Sequence, residues 1–285
     1  MCRMTAIITK KPTVRTDILC DSGKALLKQA DAVKGRFQDD GWGMAYFTRG
    51  SKPLALKSAG AARAEKAAFR RAALAASSGS NVLLAHLRDA SNPEGLSRSR
   101  LLGLKNTQPF CGNGFAFAHN GTLYIPNEIK TTLGKYSGFV KGINDSEVLF
   151  WQIMKMMDAY GTADQAIEMA LDEINTIWLS CKKRYPQRNA PYSGMNIMLA
   201  DSKNLWVLCH HKKGWAKCAL LTPGWEFGRL AWRREKDSLV FSSEPLDAGY
   251  WNKLSDLDLV KVSLAKGKLE LKIKKMYPKS SEVLI

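Results

Sequence analysis

The chain has 285 residues, 45% of them hydrophobic, and its 43 Lys and Arg against 26 Asp and Glu give a formal charge of +17. That length and composition exclude a disordered chain and allow a substantial core, and apolar runs well short of the ~18 residues of a membrane span exclude a transmembrane helix and predict no membrane partner. Cysteines at 2, 20, 111, 181, 209 and 218 contain no C-x-x-C pair, so a zinc ribbon and a redox dithiol are excluded by spacing, and reduced thiols in a cytoplasmic protein without a secretory leader are expected.

Residues 4–9, rich in β-branched side chains, predict a first strand with Cys2 at its leading edge. Ala25, Leu26, Leu27, Ala30 and Val33 fall at helical spacing and Gly35 follows, so a helix is predicted over 23–34. A hairpin follows, with strands at 42–48 and 54–58 around a turn at 50–53. The alanine-rich 61–76 reads as a helix and 82–87 as a strand. Residues 89–107 are a long irregular connection. A strand at 115–118 ends in His119-Asn120-Gly121, and helices begin at Asp145 and at the capping-box sequence Thr162-Ala163-Asp164-Gln165, the second running to 177. The remainder reads as strands at 195–200, 205–210, 238–242, 257–263 and 269–273. No internal repeat or linker appears, so one domain with two sheets and covering helices is expected, a separate unit after about 190 being the alternative.

Cys2 is the first candidate for chemistry. If Met1 is trimmed, one residue carries a thiol and an amine whose ordinary pKa of about 7.7–8.0 lets it act as base near neutral pH. Alone, an M-C start equally reads as a small residue heading a strand. Four polar segments at strand ends or loop starts accompany it: Asp39-Asp40-Gly41-Trp42-Gly43, His86-Leu87-Arg88-Asp89-Ala90-Ser91, Ala118-His119-Asn120-Gly121-Thr122-Leu123 and Asn144-Asp145-Ser146-Glu147. Each has a bland alternative. Arg88 suits a surface ion pair, Asn120-Gly121 a turn, Asp145 a helix start, and His86 and His119 buried structural positions. Cys209-His210-His211 with Cys218 is too irregular for a metal set.

Together with Cys2, in order over residues 2 to 147 and with a looser echo at Ser243-Glu244-Pro245-Leu246, these segments resemble the stand-alone branch of the class II glutamine amidotransferases. The resemblance implies an α+β fold, the four-layer αββα arrangement of N-terminal nucleophile hydrolases, with two stacked, mostly antiparallel sheets between helical layers over residues 2–285. It implies Cys2 as nucleophile and, through its free amine, base, with Asn120 and Gly121 as oxyanion hole. Arg88 would clamp the substrate α-carboxylate through parallel hydrogen bonds and Asp145 would take the α-ammonium, the binding set extending to Trp42, Ser91 and His119. Glutamine or a γ-glutamyl amide would pass through a Cys2 thioester, with no cofactor and no metal, and ammonia would be released or handed to a separate ammonia-accepting protein.

Two departures stand out. Where the family tends to carry histidines, this chain has Gln38 and Gln108, expected to lie close and share a hydrogen-bond network. The stretch 92–103 is longer than usual and adds Arg98 and Arg100; it is expected as a variable surface loop, with a lid or a pocket extension as the alternative. The basic residues come in pairs and triplets such as Arg70-Arg71 and Lys182-Lys183-Arg184, with no nucleic-acid motif. An inactive basic adaptor or nucleic-acid-associated protein on the same fold is the competing reading.

Overall fold

The computed structural model describes residues 2–33, 35, 37–47, 52–211 and 219–277. Strand β1 (Arg3–Thr9) lies inside a seven-stranded sheet with β2 (Trp42–Phe47), β3 (Pro53–Ser58), β4 (Val82–Leu87), β9 (Ala231–Arg234), β10 (Ser238–Ser242) and β11 (Asn252–Lys253), in the order β11-β9-β10-β1-β4-β2-β3. A six-stranded sheet joins β5 (Phe110–Gly112), β6 (Phe115–Leu123), β7 (Tyr192–Ala200), β8 (Asn204–Cys209), β12 (Asp258–Ala265) and β13 (Lys268–Lys275), in the order β13-β12-β8-β7-β6-β5. Every strand pairing is antiparallel.

Strand alternation sorts side chains into three cores. Met4, Ala6 and Ile8 of β1, Val82 and Leu84 of β4, and Ala116 and Ala118 of β6 meet between the sheets. Ile7, Leu83, Ala85 and Leu87 face the opposite way and pack under helix α1 (Lys66–Gly79) through Phe69, Ala72, Ala73 and Ala76. On the far side, Phe117, Ile197 and Leu199 pack against α3 (Pro126–Thr132), α4 (Asp145–Tyr160) and α5 (Ala163–Cys181). The layers are therefore helix, sheet, sheet, helix, the expected αββα order. The strands after residue 190 complete both sheets, β10 pairing with β1 from Thr5↔Ser242 to Thr9↔Ser238.

Several expectations are corrected. The helix predicted over 23–34 is only the 3-10 turn Leu26–Ala30, preceded by an unpredicted π-type turn at Asp17–Asp21. Tight turns there bury Leu19, Leu26 and Ala30 in one core, so packing rather than helical period decides the backbone. The strand expected at 115–118 runs on to Leu123, because Asn120↔Asn196 and Gly121↔Met195 pairing to β7 overrides the turn tendency of Asn-Gly. Thr162 precedes α5 without capping a backbone N–H; its hydroxyl bonds the side chain of Gln165 at 2.9 Å. The irregular 89–107 stretch contains a short helix, α2 (Arg98–Leu101), and a 3-10 turn at Leu104–Asn106. Thr48 and the turn residues Gly50 and Ser51 lie outside the described residues, as do Met1 and Cys218. Among the described residues no helix is long and apolar enough to cross a membrane.

Candidate active site

Strand register brings the site together. β1 pairs with β4 from Arg3↔Leu87 onward, so one step back along β1 sets Cys2 beside the chain leaving β4. The Cys2 Sγ accordingly lies 3.3 Å from both the N–H and the carbonyl oxygen of Asp89. Across the sandwich, β6 delivers Asn120, whose Nδ2 donates to the Cys2 carbonyl at 2.8 Å. That bond engages one amide hydrogen of the NH2. Burial pushes the Cys2 thiol above its ordinary pKa, so it needs a base to react near neutral pH.

Cys2, Arg88, Ser91, His119, Gly121 and Asp145 line one cleft. Arg88 is 5% exposed and is fixed by main chain: its N–H bonds Gly41 O at 2.8 Å, its carbonyl accepts from Asp40 N–H at 3.1 Å, and its Nη1 donates to Asp40 O at 3.2 Å. Among the described residues no carboxylate forms an ion pair with it. Burial lowers its pKa, with Cys2, Asp40 and Asp145 acting in the other direction. A buried guanidinium with no directly bonded carboxylate among the described residues, facing a cleft, is costly unless a ligand supplies the anion.

Asp145 opens α4, capped by Asn144, which accepts from Ser146 N–H at 2.9 Å. Its Oδ2 accepts from Leu123 N–H at 2.6 Å. Burial raises its pKa to about 6, against the lowering effect of its backbone donors and Arg88. In the free protein the carboxylate therefore protonates as pH falls through about 6 and stops attracting a cation. The expected result is a KM for an α-ammonium substrate that rises steeply below pH 6 and is flat above 7, while Asp145→Asn loses that dependence; a flat wild-type profile from pH 5 to 8 would contradict the assignment. The linkage sign is opposite for stability. The folded state holds this proton more tightly than the unfolded chain, so ionised Asp145 costs stability above pH 6, and Asp145→Asn is expected to melt higher there.

Gly121 lines the cleft because nothing larger fits. A Cβ there would stand 2.1 Å from Gly194 O and 2.6 Å from His119 Nε2. Gly121→Ala is expected to cost about 1–3 kcal/mol by overpacking, read as a lowered midpoint in denaturant unfolding; an unchanged midpoint would show that the strand yields freely.

Other predicted residues sit differently. Ser91 is at the exposed rim. His119 is 1% and His86 0% exposed, and burial holds their pKa values to about 4 and about 3, so both are neutral near pH 7. Trp42 is not at the cleft. It pairs with Leu87, turns to the α1 side, donates to Glu65 Oε2 at 2.7 Å and packs edge-on to Phe69 at 5.3 Å. Gln108 Nε2 reaches His119 O at 3.1 Å and Ser146 Oγ at 3.3 Å, and its Oε1 accepts from His119 N–H at 2.7 Å. Gln38 is buried, with its N–H on Ala30 O; the expected Gln38–Gln108 link is not among these bonds. His210 bonds Asp256 and Tyr192 through its two ring nitrogens.

The sequence reading missed Asp40. Its Oδ2 accepts from Ala90 N–H at 2.8 Å and its Oδ1 pairs with Arg98 Nη2 at 2.5 Å, anchoring the stretch expected as a surface loop. That stretch is largely exposed, as a surface loop would be, and it also extends the cleft through Asn92, Pro93, Glu94, Leu96 and Leu101, the alternative weighed for it. An acid directly before the Gly41 turn was the available signal. Among the described residues no group of three or more His, Cys, Asp and Glu side chains is arranged to hold a metal.

The sequence model of the glutamine amidotransferases class-II family matches residues 1–223. No curated protein matches. The fold is similar to a glutamine aminotransferase class-II domain protein from Silicibacter pomeroyi, at 16% identity and a TM-score of 0.63, covering 97% of this chain and 100% of that one. It is also similar to the glutamine phosphoribosylpyrophosphate amidotransferase of B. subtilis, at 17% identity and a TM-score of 0.59, covering 95% of this chain but 49% of that one.

Proposed function

The chain belongs to the class II glutamine amidotransferases, and we propose that it hydrolyses the side-chain amide of glutamine, or of a γ-glutamyl amide, through a thioester on Cys2. The observation that carries this reading is Arg88: a buried guanidinium without a carboxylate partner among the described residues, lining the same cleft as Cys2 and Asp145. A free amino acid head group supplies both missing charges, its α-carboxylate to Arg88 and its α-ammonium to Asp145.

The chemistry then runs on this chain's own groups. The Cys2 α-amine, free once Met1 is removed, takes the thiol proton, and Sγ attacks the amide carbon. The carbonyl oxygen gains the negative charge and is met by the second Nδ2 hydrogen of Asn120 and by the Gly121 N–H. The proton passes to the leaving nitrogen, the C–N bond breaks, and ammonia or an amine departs. Water adds to the thioester, the C–S bond breaks, and glutamate leaves as the thiol regains its proton. No step calls on a cofactor.

The same reading takes residues 2–285 as one functional domain, supported by the C-terminal strands in both sheets, and places it in the cytoplasm with its ammonia released or passed to a separate protein. The test is intact-mass analysis after exposure to an electrophilic glutamine analogue, alongside ammonia release from glutamine and γ-glutamyl amides. A mass without Met1 that gains one adduct on Cys2, together with turnover, is expected. Absence of both adduct and turnover on every γ-glutamyl compound sinks the reading in favour of an inactive basic adaptor.

A further inference from the structure

The edge strand β5 pairs with β6 only from Phe110↔Phe117 to Gly112↔Phe115. Continued two residues, that register sets Gln108 opposite His119. The main chain cannot complete the ladder there. The Gln108 carbonyl is turned toward β2, where a Cβ on Gly43 would meet it at 2.3 Å. The Gln108 side chain takes over: its amide accepts from the His119 N–H and donates to the His119 carbonyl, at 2.7 and 3.1 Å. A side-chain amide thus stands in for a missing backbone pair, next to the residues proposed as oxyanion donors.

Ser146 closes the arrangement. Its hydroxyl accepts from Gln108 Nε2 at 3.3 Å and lies 2.9 Å from His119 Nδ1. Gln108, His119 and Ser146 are 2%, 1% and 3% exposed, so these bonds are sheltered from water and strongly directional. The three residues span the two elements that build the site. His119 precedes Asn120 and Gly121 on β6, and its ring tucks beneath Gly121; Ser146 follows Asp145 on α4.

We infer that Gln108, His119 and Ser146 form a positioning bracket, which sets the oxyanion donors of β6 against the ammonium-binding carboxylate of α4. This rests on the proposed amide hydrolysis. It makes none of the three a catalytic residue; it assigns them the distance and angle between donors that act in the transition state and a carboxylate that holds the ground state. Loosening the bracket therefore acts on kcat more than on KM, because the amino acid head group still finds Arg88 and Asp145 while the oxyanion meets misaligned donors.

The test uses the full chain with Ser146→Ala, Ser146→Thr and Gln108→Glu. Alanine deletes both hydroxyl bonds, threonine keeps them, and glutamate keeps an acceptor for His119 N–H while losing the donor for His119 O. Expected are a fall in kcat of about 10- to 100-fold for Ser146→Ala and Gln108→Glu, KM within about 3-fold, and recovery of kcat by Ser146→Thr to within about 3-fold. Alkylation of Cys2 by iodoacetamide, which forms no oxyanion, is expected at the wild-type rate in all three. Wild-type kcat in Ser146→Ala overturns the bracket. So does a loss that tracks the unfolded fraction by circular dichroism and is not rescued by threonine. A wild-type protein that neither turns over nor is acylated overturns the underlying hydrolase reading, and the bracket with it.

Discussion

Cys2→Ala is expected to lower amide hydrolysis by on the order of 10⁶-fold, the scale on which loss of a covalent nucleophile acts in other hydrolases. Among the described residues no other cysteine lines the cleft, Cys20, Cys111, Cys181 and Cys209 lying elsewhere. The Ser146 hydroxyl there is held by Gln108 Nε2 and His119 Nδ1, and Ser91 sits at the exposed rim. The fold should survive, because among the described residues the Sγ hydrogen bonds are to the main chain of Asp89, at 3.3 Å. The unfolding midpoint of the variant is therefore expected close to wild type, which separates lost chemistry from lost structure. Turnover within about 10-fold of wild type would remove Cys2 from the mechanism. The amine carries a matching prediction. Since burial keeps the thiol protonated near neutral pH, kcat/KM should rise through the amine's ordinary range of about 7.7–8.0. A non-cleavable N-terminal extension, which locks that amine in a peptide bond, should be as inactive as Cys2→Ala; full activity in the extended chain would assign the base elsewhere.

What the sequence made legible was set by periodicity and by local pattern. β4 and the start of α4 were placed correctly because their apolar residues repeat at strand and helix spacing, and both cores confirm those faces. The Asp17–Ala30 region was not, because consecutive short turns bury leucines without a regular period. Asn120-Gly121 read as a turn on local chemistry, yet partners on β7 hold it in a strand with a register shift after Gly121. At the site, Cys2, Arg88, Gly121 and Asp145 were singled out through the family resemblance, and the fold sets them along one cleft. Trp42 was drawn to the site by its flanking glycines, and strand alternation places it on the other face. The Gln108–His119–Ser146 bonds were invisible for a related reason: a side chain that completes a backbone ladder leaves no periodic trace, and only the register of β5 on β6 reveals it.

Arg88→Lys is expected to reduce kcat/KM for glutamine about 100-fold, mainly through KM, and Arg88→Ala further, in line with the 2–5 kcal/mol typical of a broken buried charge contact. Lysine keeps the charge but presents a compact ammonium in place of a planar fork, so it cannot bond both oxygens of an α-carboxylate. Its single nitrogen would also have to serve both the Asp40 carbonyl, which Arg88 Nη1 reaches at 3.2 Å, and the substrate, from one position. Two measurements distinguish this role from a structural one. A double-mutant cycle against 4-aminobutanamide, which has the amide and ammonium but no α-carboxylate, should show wild type and Arg88→Lys nearly equal on that compound and far apart on glutamine. Stability should move the other way. Arg88 is buried without a bonded carboxylate among the described residues, and its desolvation outweighs the attraction of Cys2, Asp40 and Asp145 in the free protein, so Arg88→Met should melt at or above wild type while losing substrate. An Arg88→Met variant that melts well below wild type, with glutamine and 4-aminobutanamide affected alike, would mean that the guanidinium holds the fold together and that the carboxylate of the substrate is read by some other group.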